Sequence, residues 1–239
     1  MNFYKLMIKY KTDNNDFTHT SMFPYGGTYN IPDEELDVFY SDYNKCIKNH
    51  VNLGILERPK DIGPMLVDVD IVEMNGFLRS LHTRERTVEY ARQFQKCLLE
   101  NTDAKSVDCW ILEKRPYIDR KGDCKNGFHL HFPSVWMTKT HRVFITKLVK
   151  DTNIEQGYET LDSSASWNNW FLYGSRKNAD QDAYKVEYIL GTDGQQQDIP
   201  TNVDFLYMLS IRNNPTGVTN KVLDGRIPVE KPKPKIEPK

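Results

Sequence analysis

Hydrophobic and polar residues along this chain follow two different periods, and each change of period predicts a new secondary-structure element. Apolar side chains three and four residues apart predict helices over residues 33–50, 84–99 and 140–151. Alternating or continuous apolar runs predict strands over residues 4–10, 64–74, 107–113, 128–132, 167–173 and 184–190. Pro133 is expected to end the strand that begins at residue 128, because proline donates no ladder hydrogen bond. The alternation of strands and helices predicts an α/β fold.

Two aspartates interrupt the apolar run PMLVDVDIVEM over residues 64–74. Side chains two apart on a strand share a face, so Asp68 and Asp70 lie together with Cα atoms about 7 Å apart. Such a pair can hold a divalent cation, and magnesium commonly takes one or two carboxylates together with substrate phosphates. An edge strand whose aspartates face water is the alternative. The apolar neighbours favour a buried strand, which does not tolerate uncompensated charge.

The composition indicates a globular protein, since 38% of the residues are apolar and 27% are charged. With a formal net charge of -1, any phosphate-binding surface must be a local patch. No apolar stretch is long enough to span a membrane and the first residues do not form a signal peptide, so we expect an intracellular protein without a membrane partner. No two cysteines form a C-x-x-C pair, which favours free thiols over a zinc site. The four cysteines are Cys46, Cys97, Cys109 and Cys124.

A second motif, KNGFHLHF, places His129 and His131 on one face of the strand predicted from residue 128. A histidine beside a cation can donate to phosphate oxygens, and Gly127 would allow a ligand to approach the backbone. His-x-His alone is a weak signal, because it also occurs in other metal sites and in protein cores. Lys125 taken alone is a solvated loop lysine.

The third motif joins Asp162 to the downstream run WNNWFLYGSRK. In this turn Gly174 frees the backbone, Ser175 can donate, and Arg176 or Lys177 can neutralise phosphate charge. A surface turn after a core strand is the alternative. Metal ligands, phosphate donors and a third acid together are what metal-dependent phosphoryl or nucleotidyl transfer requires.

The order LVDVDI, KNGFHLHFP and LDSSASWNNWFLYGSRK resembles the three motifs of archaeo-eukaryotic primases. It is most similar to the primase domain of the primase-helicases of poxviruses and other nucleo-cytoplasmic large DNA viruses. The resemblance covers residues 20–215. It implies a catalytic half built on an RRM-like sheet beside an N-terminal α/β unit.

The resemblance also implies which residues act. Asp68, Asp70 and Asp162 are the catalytic ligands of Mg²⁺ or Mn²⁺, and His129 contacts the phosphates of the incoming nucleotide. His131 falls where the family tolerates other residues, which suggests packing. The remaining nucleotide-binding positions that the resemblance implies are Lys125, Ser175 and Lys177. It implies this role less strongly for Arg176 and Arg58.

The implied activity is primer synthesis on single-stranded DNA from nucleoside triphosphates by a two-metal mechanism. Template is expected on basic and aromatic surface such as Lys114, Arg115 and Tyr117. A rolling-circle nicking endonuclease is a rival interpretation, with His129 and His131 as metal ligands and Tyr184 or Tyr188 as nucleophile. A catalytically inactive nucleic-acid-binding module attached to a helicase is a third.

The last residues, 225–239, are rich in proline and lysine, which predicts a linker after a catalytic body over residues 1–224. The resemblance implies that a helicase domain follows on the same chain. It also implies a viral protein that acts at a replication site, for which we expect the host cytoplasm.

Overall fold

The first part of the chain forms a small antiparallel sheet with two helices in the computed structural model, which describes residues 3–223. The small sheet has the strand order β1-β3-β2-β4-β10, with β10 contributed from later in the chain. These elements are α1 (Phe3–Lys9), β1 (Lys11–Thr12), β2 (His19–Ser21), β3 (Gly27–Tyr29), a 3-10 turn (Asp33–Glu35), α2 (Leu36–Lys48) and β4 (Ile55–Glu57).

The rest of the described chain forms a larger sheet of order β12-β11-β6-β8-β5-β9, with β7 paired to β8. All pairings in both sheets are antiparallel. Helices and strands occur together in the described chain, so the predicted mixed α/β class is confirmed, with antiparallel sheets. The elements are β5 (Ile62–Glu73), α3 (Arg84–Asn101), β6 (Cys109–Glu113), β7 (Tyr117–Ile118), β8 (Cys124–Thr138), α4 (Lys139–Lys150), β9 (Glu159–Leu161), a 3-10 turn (Ser163–Ser166), β10 (Trp170–Phe171), β11 (Lys185–Leu190), β12 (Gln196–Gln197) and α5 (Phe205–Leu209).

The two faces of the larger sheet have different roles. On β5, Val67, Val69 and Ile71 are buried in the main core together with residues of α3 and α4. The intervening Asp68 and Asp70 therefore point to the opposite face. That face is free of α3 and α4, which leaves room for a site.

Helix α2 confirms the helical period predicted for residues 33–50. Its buried side chains include Leu36, Phe39, Tyr40 and Tyr43, which form the core under the small sheet. The chain enters the helix through the 3-10 turn after Pro32, whose fixed φ suits a helix start. This core is separate from the core beneath α3 and α4.

The strand predicted over residues 4–10 is wrong, because this segment is helix α1. Phe3, Leu6 and Met7 are spaced three and four residues apart, and all three are buried against α2 and the small sheet. So short an apolar pattern fits both periods, and packing against α2 selects the helix.

Pro133 does not end its strand, contrary to the prediction from the sequence. β8 continues to Thr138, and its register against β5 shifts between Pro64 and Met65, where Met65 pairs with Phe132 and Pro64 with Trp136. Pro133 lies in the resulting bulge, where a missing N–H group costs no ladder hydrogen bond.

The aromatic segment 167–173 is strand only at Trp170–Phe171, because Trp167 ends the preceding 3-10 turn. All four cysteines are free, as predicted. None of the helices within residues 3–223 is both long and apolar enough to cross a membrane. The linker predicted over residues 225–239 lies outside the described residues and stays a prediction.

Candidate active site

Strand pairing brings the three predicted acidic residues to one pocket. Asp68 and Asp70 project from the middle of β5, and Asp68 lies directly opposite His129 on β8. Asp162 follows β9 on the other side of β5, where its N–H donates to the carbonyl of Asp68 at 2.8 Å. All four residues, together with Lys177, line a pocket of about 240 Å³.

The Asp68 carboxylate is the electrostatic centre of the pocket. Its Oδ1 atom is buried and has no hydrogen-bond partner among the described residues. Burial raises the pKa of Asp68 to about 8, with further contributions from the negative charges of Asp70 and Asp162. Lys114 and Lys177 oppose this rise in the pKa only in part. A cation bound nearby would therefore stabilise the ionised form of this carboxylate.

Asp162 is held by the turn that it begins. Its Oδ1 accepts from the N–H of Ser164 and its Oδ2 accepts from the Ser164 hydroxyl, each at 2.7 Å. These bonds fix the carboxylate as the cap of the 3-10 turn Ser163–Ser166. Each oxygen of a carboxylate has a second lone pair, so the cap leaves acceptor capacity toward the pocket.

His129 is fixed between two aromatic rings. Its ring stacks on Tyr184 with centroids 3.6 Å apart and an interplanar angle of 24°, and the Trp170 ring lies 4.5 Å away. Its Nε2 is 3.4 Å from Asp68 Oδ1. Burial, reinforced by the charge of Lys114, holds the pKa of His129 well below its ordinary value. The imidazole is therefore neutral and can donate one hydrogen bond.

Gly127 of the second motif allows strands β8 and β5 to lie close together. Gly127 has φ of +150°, and a Cβ atom there would lie 2.4 Å from the Val69 carbonyl oxygen of the neighbouring strand. The adjacent Lys125 does not line the pocket, because its Nζ pairs with Asp119 at 3.1 Å. Its pKa is raised chiefly by that hydrogen bond. Reaching a nucleotide would require Lys125 to leave Asp119.

The closing turn places its residues in different environments. Ser175 is buried, and its hydroxyl contacts Tyr43 and accepts from the N–H of Ile55, both at 2.9 Å. Its hydroxyl therefore already supports the fold. Lys177 is exposed and lines the pocket, whereas Arg176 anchors its backbone N–H on the Leu53 carbonyl and does not line it.

Arg58 is not part of this pocket. Its Nη1 donates to the carbonyl oxygens of Asn15 and Phe17, and its guanidinium covers the Phe17 ring at 4.5 Å. It lines a separate open groove together with Arg212. The structure thus separates Arg58 from the other predicted nucleotide-binding residues.

The surface predicted for template binding divides in a similar way. Lys114 and Tyr117 line the acidic pocket, while Arg115 pairs with Asp182 at 2.5 and 3.1 Å. Burial lowers the pKa of Lys114, although the charges of Asp68 and Asp70 act against this. Lys114 directly follows β6, and extending the alternation of side chains along that strand by one residue predicts that Lys114 faces the pocket.

Four further pocket residues lie inside the third motif, LDSSASWNNWFLYGSRK, which predicts no role for them. They belong to the 3-10 turn capped by Asp162, to the segment after that turn and to β10, which pairs with β4 of the small sheet. These residues are Ser164, Asn168, Asn169 and Trp170.

The geometry disfavours the nicking-endonuclease interpretation. His129 and His131 are two of the residues that line a cavity of about 20 Å³, close to the space that one water requires. Burial lowers the pKa of His131 to about 3, so its ring is neutral, which is also the form that binds metals. The positions of the two tyrosines are therefore what disfavours a nicking endonuclease. Tyr188 packs in the core on the helix side, where its hydroxyl bonds to Thr87. Tyr184 is near His129 but is stacked on it.

The donor set fits a divalent cation that shares its coordination with a substrate. Among residues 3–223, no group of three or more acidic, histidine or cysteine side chains is arranged to hold a metal by itself. Magnesium usually needs only one or two carboxylates when phosphate oxygens complete its shell. The partnerless Oδ1 of Asp68 and the repulsion among Asp68, Asp70 and Asp162 fit that arrangement.

Comparison with known families agrees with the resemblance found in the motifs. The sequence profile described as "C962R protein N-terminal AEP domain", where AEP denotes archaeo-eukaryotic primase, matches residues 18–190. This range contains the predicted acidic residues, His129 and the whole closing turn.

Viral proteins are among the curated relatives. The "Putative helicase 184R" of Invertebrate iridescent virus 6 is 27% identical, over 92% of this chain and 28% of its own length. The "Putative helicase 121R" of Invertebrate iridescent virus 3 is 25% identical, over 77% of this chain and 22% of its own length. The "Putative helicase L207/L206" of Acanthamoeba polyphaga mimivirus is 25% identical, over 77% and 21%. The chain thus spans about a quarter of the length of these relatives.

Proposed function

This chain belongs to the C962R-type family of N-terminal archaeo-eukaryotic primase domains, and we propose that it is a DNA-dependent primase-polymerase. It would join nucleoside triphosphates into primers on single-stranded DNA during viral DNA replication. The observation that carries this proposal is the pocket in which Asp68, Asp70, Asp162, His129 and Lys177 converge.

The strand order supports an RRM-like catalytic sheet. Elements β5, α3, β6, β8, α4 and β9 follow one another as β-α-β-β-α-β, apart from the short β7. Their strands lie in the spatial order β6-β8-β5-β9, with α3 and α4 on one face. This order supports the proposal of a ferredoxin-like, RRM-type sheet. The small sheet with α1 and α2 would be the N-terminal unit.

In the proposed reaction, Asp68, Asp70 and Asp162 would hold Mg²⁺ or Mn²⁺. A pair of such cations would supply Lewis acidity to the attacking 3'-hydroxyl and positive charge to the phosphate and the leaving group. The neutral His129 donates to a phosphate oxygen, and its stacked neighbours keep the ring oriented. Lys177 supplies positive charge to the triphosphate from the solvent side.

The proposal is tested by following labelled nucleotide on a single-stranded DNA template with magnesium or manganese, using ribonucleotides and deoxynucleotides separately. We expect metal-dependent products from the wild-type chain and none from Asp68→Ala or Asp70→Ala. Asp13→Ala removes an exposed carboxylate away from the pocket and serves as the matched control. Wild-type synthesis by the Asp68 variant would contradict the proposed site.

We extend the proposal to the whole protein. The names of the longer relatives support a helicase domain on the same chain, connected through residues 225–239. A tether of this kind raises the effective concentration of one domain near the DNA bound by the other. The viral relatives also support action inside infected cells, in the host cytoplasm.

A further inference from the structure

An open groove at the end of the small sheet has a composition suited to nucleic acid. It has a volume of about 510 Å³ and is lined by Phe17, Arg58 and Arg212, with Asp16 as its acidic residue. The groove contains none of the residues that line the acidic pocket. The proposed reaction therefore leaves it without a role.

Arg212 is built into the wall of this groove. Its side chain is only 9% exposed, yet its Nε is buried and has no hydrogen-bond partner within the described chain. Nη1 donates to the carbonyl of Arg58 at 2.8 Å, and Nη2 lies 3.6 Å from Asp33 Oδ1. Because Nε itself is buried, Arg212 contributes to the groove the positive charge of its guanidinium rather than this donor. Such a charge attracts a phosphate.

Arg58 and Phe17 add a second cation and an aromatic ring. The hydrogen bonds of Arg58 to the protein run through Nη1, which leaves its other nitrogens for a ligand. Its guanidinium lies over one face of Phe17. Cations interleaved with an aromatic ring are the usual means of binding single-stranded nucleic acid.

The groove lies beside the acidic pocket. Trp170 pairs with Glu57 across β10 and β4, so Asn169, which lines the pocket, and Arg58, which lines the groove, occupy the next position on each strand. Neighbouring strands are only about 5 Å apart. Asn169 also contacts the Thr20 hydroxyl at 3.4 Å. The pocket and the groove therefore approach each other at this residue pair, so that one strand of nucleic acid is within reach of both.

From this proximity the geometry points to the groove as a binding site for a phosphodiester of the DNA strand that leaves the catalytic pocket. The inference deepens the proposed function and rests on it for the identity of the strand. Arg212 and Arg58 bind one backbone phosphate, and Phe17 supports the adjacent base. Asp16 repels the strand and limits its affinity.

The experiment measures binding of labelled oligodeoxythymidylates of roughly 4 and roughly 16 nucleotides, the span of common single-strand sites, by fluorescence anisotropy. Arg58→Gln should lower the affinity for the long oligonucleotide about tenfold, as expected for one charged hydrogen bond. It should also reduce the slope of log affinity against log salt concentration by about 0.7. Its affinity for a nucleoside triphosphate should not change. Lys105→Gln, which removes an exposed lysine away from both sites, should retain the wild-type affinity.

Asp16→Asn provides a test that does not depend on losing an interaction. Removing the acid should raise the affinity for the long oligonucleotide and leave the affinity for the short one unchanged. The inference is overturned if Arg58→Gln and Asp16→Asn both bind the long oligonucleotide like wild type, or if Arg58→Gln loses triphosphate affinity instead. Absence of nucleotide incorporation by the wild-type chain would refute the proposed function, whereas the oligonucleotide affinities decide on the groove.

Discussion

Glu57 and Asp68 are both acidic, but the fold provides hydrogen-bond donors to one carboxylate and not to the other. Glu57 is 1% exposed, and its carboxylate accepts from the hydroxyls of Tyr40 and Ser210 at 2.6 and 2.9 Å and from the N–H of Ile211 at 2.9 Å. The Asp68 side chain is 23% exposed, but its Oδ1 is buried and accepts no hydrogen bond from the described residues.

The pKa values follow the number of partners. Burial raises the pKa of Glu57, but the neighbouring His19 ring and the hydrogen bonds from Tyr40 and Ile211 outweigh it, so that the pKa is lowered. Burial and two neighbouring carboxylates raise the pKa of Asp68 to about 8. Buried polar groups are normally satisfied. A satisfied carboxylate is structural, and an unsatisfied one beside other acids indicates a ligand.

The largest expected effect concerns Asp68. Asp68→Asn keeps the shape of the side chain but removes a charged metal ligand, so primer synthesis should fall by about 10³-fold. Steady-state nucleotide incorporation measures this loss, and circular dichroism checks that the variant is folded. Activity within tenfold of wild type would remove Asp68 from the reaction.

Glu57→Gln should have the opposite profile. The amide turns donor groups toward existing donors, so the free energy of unfolding should fall by about 3 kcal/mol, as for a broken buried charge network. Urea unfolding measures this change, with the exposed Glu34→Gln as control. A loss below about 1 kcal/mol would show that the network is dispensable.

The third prediction separates the two catalytic interpretations. His129→Gln should raise the KM for nucleotide by about 10-fold or more, as expected for one lost hydrogen bond to a charged phosphate. Tyr184→Phe keeps the stacked ring and should leave incorporation nearly unchanged. If Tyr184→Phe instead abolished a DNA-nicking activity, the tyrosine would be a nucleophile and the rival interpretation would be right.

The last prediction concerns stability as a function of pH in the presence of a chelator. An unfolded aspartate has a pKa of about 3.9, so between about pH 4 and pH 8 the native chain keeps a proton on Asp68 that the unfolded chain has lost. Wild-type stability should therefore fall as the pH rises through this range. Asp68→Asn should lack this slope. If the stability of wild type and of Asp68→Asn depended on pH in the same way, the pKa of Asp68 would not be raised.

The sequence predicted the parts of the site that depend on local spacing. The period of two predicts Asp68 and Asp70 on one face of β5, and the order of the motifs links them to Asp162. The alternation could not show that Tyr184 and Trp170 enclose His129, because the three residues come from segments that meet only in the folded chain.

The incorrect predictions have similar physical causes. The bulge that accommodates Pro133 depends on where β5 shifts its register. The short segment Phe3–Lys9 fits a strand and a helix equally well until α2 is packed against it. In both cases the deciding contact is distant in sequence, where local pattern carries no information.

The comparison of Glu57 with Asp68 is tested most directly by Mn²⁺ binding, measured by electron paramagnetic resonance with a non-hydrolysable nucleoside triphosphate present. We predict that the wild-type chain and Glu57→Gln, at a temperature where the variant is folded, bind Mn²⁺ and that Asp68→Asn does not. Equal Mn²⁺ binding by Asp68→Asn and wild type would contradict the account.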